Sequence, residues 1–250
     1  MLISRNFVPS LFTVLNGFCG FMSLINSMNG EFEQACLFII YAMLFDGFDG
    51  IVARLLHSSS KFGVELDSLC DVISFGVAPS FLLYTIQLKN FETIGIIVAS
   101  LFMVFSSLRL ARFNVQLVGF DKDYFKGLPA PIAAVTICSY ILFYHNKIFT
   151  AQTSSYALWI IAILLPILMI SRIKYDTLPK INKANLKKHP AKFVILFIAI
   201  ILIIITRGEG LFAFCLFYLS SGIIRGIYML LKPKKKKPQG EKEAVEKIAH

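Results

Sequence analysis

Eight stretches of this chain are apolar enough, and about long enough, to cross a bilayer. They run roughly over 9–28, 33–54, 67–86, 91–111, 129–146, 155–172, 192–206 and 209–231. A hydrocarbon layer about 30 Å thick calls for ~20 apolar residues in helical form. The seventh stretch is short, and the seventh and eighth are open to a different division. Of the 250 residues 56% are hydrophobic, more apolar surface than a soluble domain of this size buries. Backbone groups in lipid must be satisfied within each segment, so helices are the natural solution. The expected fold class is therefore an all-α polytopic membrane protein with about eight transmembrane helices. The first stretch lacks a basic leader and a small-residue cleavage site, so it reads as a span and not as a cleavable signal. Residues 1–231 form one expected transmembrane domain, and 232–250 a basic polar tail.

Charge placement tests that division. With a cytoplasmic N-terminus, the loops near 29–32, 87–90, 147–154 and 206–209 face outward and carry only Lys89, Lys147 and Arg207. That leaves 22 of the 25 Lys and Arg residues on the inner side, the asymmetry that orients membrane proteins. Both termini are thus expected in the cytoplasm. The net charge of +10 arises largely from the 172–192 loop and from Lys232 to Lys237. These satisfy the inside rule and suit anionic lipid headgroups. No soluble segment is long enough for a nucleic-acid-binding domain, so no nucleic acid partner is expected. The cysteines at 19, 36, 70, 138 and 215 show no CxxC spacing and read as buried thiols. The four histidines form no ligand cluster, and no internal repeat of the transporter kind is evident.

Within this apolar frame, four aspartates stand out. Asp46 and Asp49 are three apart at the inner end of the second stretch, and Asp67 and Asp71 four apart at the start of the third. Each pair shares one helix face, and a turn over roughly 55–66 brings the two faces together. Carboxylates at the edge of hydrocarbon are costly and mark function. Grouped this way they suit Mg²⁺ or Mn²⁺, which favour oxygen ligands and leave positions open for phosphate oxygens. Two such ions can clamp a pyrophosphate, and one carboxylate can act as general base toward an alcohol. Gly50 and Ala53 are small enough for close ligand approach, and Arg54 offers a phosphate-binding fork. Ser60, Lys61 and Gly63 are candidate phosphate or base contacts from the turn. For Lys61 the inside rule is an equal explanation, and Ser58 and Ser59 read as an ordinary polar turn.

The spacing itself is specific. Asp49-Gly50-x-x-Ala53-Arg54, then eight residues, Gly63, three more, Asp67, three more and Asp71 resembles the signature of the CDP-alcohol phosphotransferase family. Seven fixed positions in 23 residues match without a gap, and Asp46 adds a further upstream aspartate seen there. The resemblance implies an integral membrane enzyme in which an alcohol displaces CMP from a CDP-linked substrate. It implies two divalent metals on Asp46, Asp49, Asp67 and Asp71, with Asp71 also the base, and CDP contacts at Gly50, Arg54 and Ser60.

Further blocks resemble the branch of that family whose acceptor is L-serine and whose donor is CDP-diacylglycerol. These are residues 65–79, Arg109-Leu-Ala-Arg-Phe-Asn114, Gly127-Leu-Pro-Ala-Pro131 and Pro9-Ser-Leu-Phe-Thr-Val-Leu-Asn16, where Ser10 replaces a common Asn. The likeness covers roughly the first 135 residues. Serine carries a carboxylate, so Arg109 and Arg112 are candidates for acceptor or phosphate contacts, with Asn114 completing the pocket. The equal alternative for the arginines is snorkelling at the membrane surface. Thr13 and Asn16 are candidates for facing the nucleotide, or else for helix–helix hydrogen bonding. The expectation is a multi-pass cell-membrane protein with its active site at the cytoplasmic face, among membrane lipids. By the same analogy it is a homodimer. Three rivals stand beside it: the same chemistry with glycerol 3-phosphate, inositol or its phosphate; an intramembrane prenyltransferase; and a cation- or proton-coupled transporter.

Overall fold

Each of the eight apolar stretches is helical in the computed structural model, which describes residues 7–56, 60–117, 124–176 and 190–231. The first two helices are α1, Phe7–Met28, and α2, Phe32–Leu55. One long rod follows, built from α3, Lys61–Val72, a π-helical turn, Ile73–Val77, and α4, Ala78–Ile86. A 3₁₀ turn leads into α5, Glu92–Leu117. The remainder are α6, Ala130–Phe143; α7, Ala151–Ile170; α8, Pro190–Ile205; and α9, Gly210–Leu231. Six of these rods are long and apolar enough to cross a membrane. The other two expected spans are shorter: α6 has 14 residues and α8 has 16. At 1.5 Å per residue these make ~21 and ~24 Å, less than a ~30 Å hydrocarbon layer. For α6 the reason is position, since eleven of its fourteen residues are buried among other helices and lipid thickness does not dictate its length.

Two differences from the sequence expectation bear on the site. The third rod starts at Lys61, not near 67, because Ser60 caps it: the Ser60 hydroxyl accepts the Gly63 backbone N–H at 3.0 Å, satisfying one of the orphan donors of a first turn. Lys61 and Gly63 are therefore helical, and the turn is much shorter than 55–66. Second, the all-α expectation omitted two short strands. Strand β1, Tyr124–Lys126, pairs antiparallel with β2, Lys174–Asp176, setting Phe125 opposite Tyr175. The Ser58–Ser59 turn and the tail at 232–250 lie outside the described residues.

The turns expected to face outward gather at one end. Lys147 pairs with Glu33 at 2.6 Å, and Tyr144 donates its hydroxyl to the Glu209 carbonyl at 3.2 Å. Gln87 donates to Ser155 at 2.8 Å, beside an edge-to-face contact of Phe91 with Trp159. The aspartates, the end of α5 and the β1–β2 pair share the opposite end. Helix α2 links the two regions, because the face that buries Ala35, Ile39 and Ala42 carries Asp49 two turns later. All five cysteines are buried free thiols.

Candidate active site

Asp46 and Asp49 of α2 meet Asp67 of α3, with one ligand oxygen from each lying within 4.8 Å of the others. The convergence depends on close approach by α1. A Cβ on Gly17 would sit 2.9 Å from Cys70 Sγ, and one on Gly20 would sit 2.4 Å from Ser74 Oγ. With only hydrogens at these positions, α1 packs against α3 and the π turn and delivers two polar side chains. The Thr13 hydroxyl lies 2.9 Å from Asp49 Oδ2 and 3.2 Å from the Pro9 carbonyl. Asn16 donates its amide to Asp71 Oδ1 at 3.0 Å. Both expected α1 residues are thus buried against the aspartates themselves.

Asp71 stands one turn beyond Asp67, outside the three-carboxylate cluster but within electrostatic reach of Asp46 and Asp67. Three like charges this close repel strongly in a partly buried setting, so the cluster calls for a cation. Asp67 adds a specific vacancy in bonding: its Oδ1 is buried and has no hydrogen-bond partner among the described residues. A hard divalent cation fits this oxygen set.

A cavity of about 150 Å³ opens beside the cluster. Thr13, Pro9 and Ser10 line it from α1; Asp49, Gly50 and Ala53 from α2; Ser60, Gly63, Val64 and Asp67 from α3. The first turn of α3 therefore faces a cavity floored by carboxylates, which joins an anion-favouring helix start to a cation-favouring cluster. Pro9, Ser10 and Val64 escaped the sequence reading as cavity residues. Pro9 and Ser10 stand four and three residues before Thr13, so their shared face was available as a signal.

The remaining expected residues divide. Arg54 is exposed, and its Nε donates to the Gly50 carbonyl at 2.9 Å. Lys61 is exposed on the first turn of α3. Both sit next to cavity-lining residues without lining the cavity. Asn114 donates to Ser68 Oγ at 2.7 Å, tying α5 to α3 between Asp67 and Asp71. Arg109 is buried at 7% exposure, lies 5.7 Å over the Phe113 ring, and is within electrostatic reach of Asp71. Arg112 has different partners. Its guanidinium donates to the carbonyls of Lys126 at 2.8 Å and Ile170 at 3.0 Å, with longer contacts to Met169 and Ser171. It binds α5 to β1 and to the end of α7, so sharing a helix face with Arg109 does not give it the same surroundings. Gly127 makes this junction feasible, with φ of 85° and no room for a Cβ against the Met169 carbonyl.

Comparison with known proteins agrees with this geometry. A profile of the CDP-alcohol phosphatidyltransferase family matches residues 6–170. A CDP-diacylglycerol–serine O-phosphatidyltransferase of Helicobacter pylori is 38% identical over 224 residues, 90% of this chain and 92% of the relative. The enzyme of the same description from Bacillus subtilis is 36% identical over 183 residues, 73% of this chain and 97% of its own. An archaetidylserine synthase of Methanothermobacter thermautotrophicus is 42% identical over 173 residues, 67% of this chain and 69% of its own. The profile spans every aspartate of the cluster and the whole cavity, and the chain belongs to the CDP-alcohol phosphatidyltransferase family.

Proposed function

We propose that this protein transfers the phosphatidyl group of CDP-diacylglycerol to L-serine, releasing phosphatidylserine and CMP. The observation that carries this reading is the cavity in which the first turn of α3 faces Asp49 and Asp67. It supports a pyrophosphate held between backbone N–H groups and metal-binding carboxylates. The serine acceptor is supported by the names of the relatives, which align over most of the chain.

In this reading Asp46, Asp49, Asp67 and Asp71 hold two divalent ions, Mg²⁺ or Mn²⁺. When bound, these neutralise the pyrophosphate and the departing CMP. Thr13 fixes the orientation of Asp49 through its hydroxyl. Asn16 occupies Asp71 Oδ1, which leaves Oδ2 to take the proton from the serine hydroxyl. The serine oxygen then bonds to the phosphorus that carries diacylglycerol, and the bond from that phosphorus to CMP breaks, its electron pair leaving with CMP. Ser60 and Gly63 present the α3 N-terminus to phosphate, while Gly50 and Ala53 let the nucleotide approach α2. Arg54 and Lys61 supply positive charge at the cavity rim. Positioning and charge neutralisation carry most of such a displacement.

The topology proposed with it has eight spans, both termini in the cytoplasm and the active site at the cytoplasmic face of the cell membrane. The gathering of all four weakly charged turns at the end opposite the aspartates supports it. Residues 1–231 form the catalytic domain and 232–250 a basic tail drawn to anionic lipid, and the protein is proposed to be a homodimer. Incorporation of radiolabelled serine into lipid, dependent on added CDP-diacylglycerol and divalent metal, tests the function. CMP release with glycerol 3-phosphate or inositol phosphate, and none with serine, would replace the acceptor.

A further inference from the structure

Beyond the profile-matched region, two tyrosines approach the acceptor side of the site from separate elements. Tyr175 belongs to β2 and Tyr218 to α9, and their rings stack with centroids 5.5 Å apart. Tyr175 is 1% exposed. A Cβ on Gly222, one turn beyond Tyr218, would lie 2.1 Å from the Tyr175 ring, so glycine is what admits this ring against α9. The Tyr175 hydroxyl is buried and has no hydrogen-bond partner among the described residues. An unsatisfied buried polar group of this kind is costly. Burial pushes its phenol up to about 12, which keeps it a proton donor across the physiological range.

The position of this pair follows from two contacts. Arg112 donates to the Lys126 carbonyl of β1, and Lys126 is paired with Lys174, the neighbour of Tyr175. Arg109, one turn earlier on α5, lies within electrostatic reach of both Asp71 and Tyr218. The sequence Asp71, Arg109, Tyr218, Tyr175 thus leads outward from the proposed base, on the α5 side of the aspartates.

We propose that Tyr218 is a specificity-determining residue of the acceptor subsite, where its hydroxyl and the Arg109 guanidinium bind the acceptor's carboxylate, and that Tyr175 positions it. This rests on the serine reading above. A carboxylate acceptor needs donors and positive charge, which a phenol and a guanidinium supply. The donor nucleotide lies on the other side of the aspartates, against α1, α2 and the start of α3, so the two substrates draw on different residues.

The test is steady-state CMP release by full-length protein in nanodiscs, varying L-serine and CDP-diacylglycerol separately. Y218F is expected to raise the KM for serine about tenfold, the loss of one hydrogen bond to a charged group, with the KM for CDP-diacylglycerol unchanged. Y175L removes the stacked ring that positions Tyr218, and is expected to raise the serine KM about threefold. A serine KM unchanged in both variants, or both substrates' KM raised equally, overturns the tyrosine assignment while wild-type serine turnover leaves the proposed function intact. Wild-type protein that ignores serine and uses glycerol 3-phosphate overturns the acceptor reading and the tyrosine assignment together. Melting temperature in the same nanodiscs identifies a variant that has lost its fold, and the second variant then decides.

Discussion

Asp67 and Gly50 both line the cavity, and each is expected to trade stability for function. At Asp67 the conflict is electrostatic, because three carboxylates lie within 4.8 Å and each repels the others. Asp67→Asn is therefore expected to raise the melting temperature in EDTA by ~2–4 °C, equivalent to ~1 kcal/mol of relieved repulsion. The same variant is expected to lose at least a hundredfold in CMP release. A melting temperature that falls in EDTA would mean the cluster is not under like-charge strain. Asp71→Asn keeps an oxygen for Asn16 to bind, so its fold should survive while CMP release falls about 10²–10⁴-fold, the usual contribution of a general base. At Gly50 the conflict is conformational. A Cβ there meets nothing within 4 Å, and the same holds at Gly47. Alanine at either helical position should stabilise α2 by up to ~1 kcal/mol. Only Gly50 lines the cavity, so Gly50→Ala is expected to raise the KM for CDP-diacylglycerol severalfold and Gly47→Ala to leave it unchanged. Equal effects would remove Gly50 from the nucleotide path.

The π turn at Ile73–Val77 governs how the third rod presents Asp71. In an α-helix the Phe75 carbonyl would accept from the N–H of residue 79, but Pro79 has none. Ser106 of α5 donates to that carbonyl at 3.3 Å instead, and the neighbouring Ser74 hydroxyl donates to the Asn16 carbonyl at 2.9 Å. A break in one helix is thereby linked to both helices beside it, and one of those links ends on the residue that holds Asp71. Such turns recur at functional sites. The sequence made the aspartate faces legible, since three- and four-residue spacings leave little freedom on a helix. Pro79 lay inside a stretch expected to be one continuous span, 67–86, and the π turn before it was not foreseen. Nor did the sequence reveal the partners, because a serine that latches a distant carbonyl has the same local signature as one facing its own helix. The β1–β2 pair was hidden for a related reason: three-residue strands in polar loops have too little pattern to register, and the contacts that hold them, such as Arg112 on the Lys126 carbonyl and the Tyr175 ring against Gly222, come from distant parts of the chain. The latch yields its own test. Gly20→Ala places a methyl 2.4 Å from Ser74 Oγ and 2.9 Å from Ser74 Cα. It should push α1 off the π turn, pull Asn16 from Asp71 and lower CMP release more than tenfold. Activity within twofold of wild type would show that α1 can yield without disturbing the base.

At the scale of the whole molecule, hydropathy located each of the eight described apolar helices but could not say which of them must match the bilayer, because α6 is apolar through burial among its neighbours. Whether α6 crosses decides which side of the membrane α7 begins on, and the same holds for α8 and the turn before α9. The structure ties these turns together: Tyr144 reaches Glu209, and the Phe143 ring fills the space that a side chain at Gly208 would need. The Glu33–Lys147 pair joins the same end but is largely exposed at 65% and 48%, and is worth ~0–1 kcal/mol. The gathering of the turns therefore depends more on packing than on that ion pair. If both short helices cross, Gln152 and Glu209 face outward while Leu56 faces the cytoplasm. All five native cysteines are buried, so single introduced cysteines can be read against a low background. In intact cells a membrane-impermeant maleimide should label Gln152→Cys and Glu209→Cys but spare Leu56→Cys, and permeabilisation should expose the third. Labelling of Leu56→Cys with Gln152→Cys protected would invert the protein and place the aspartates away from cytoplasmic CDP-linked substrate. Protection of Gln152→Cys together with Leu56→Cys would leave α6 as a re-entrant core helix, and the lipid-facing helices would then have to account for an odd number of crossings.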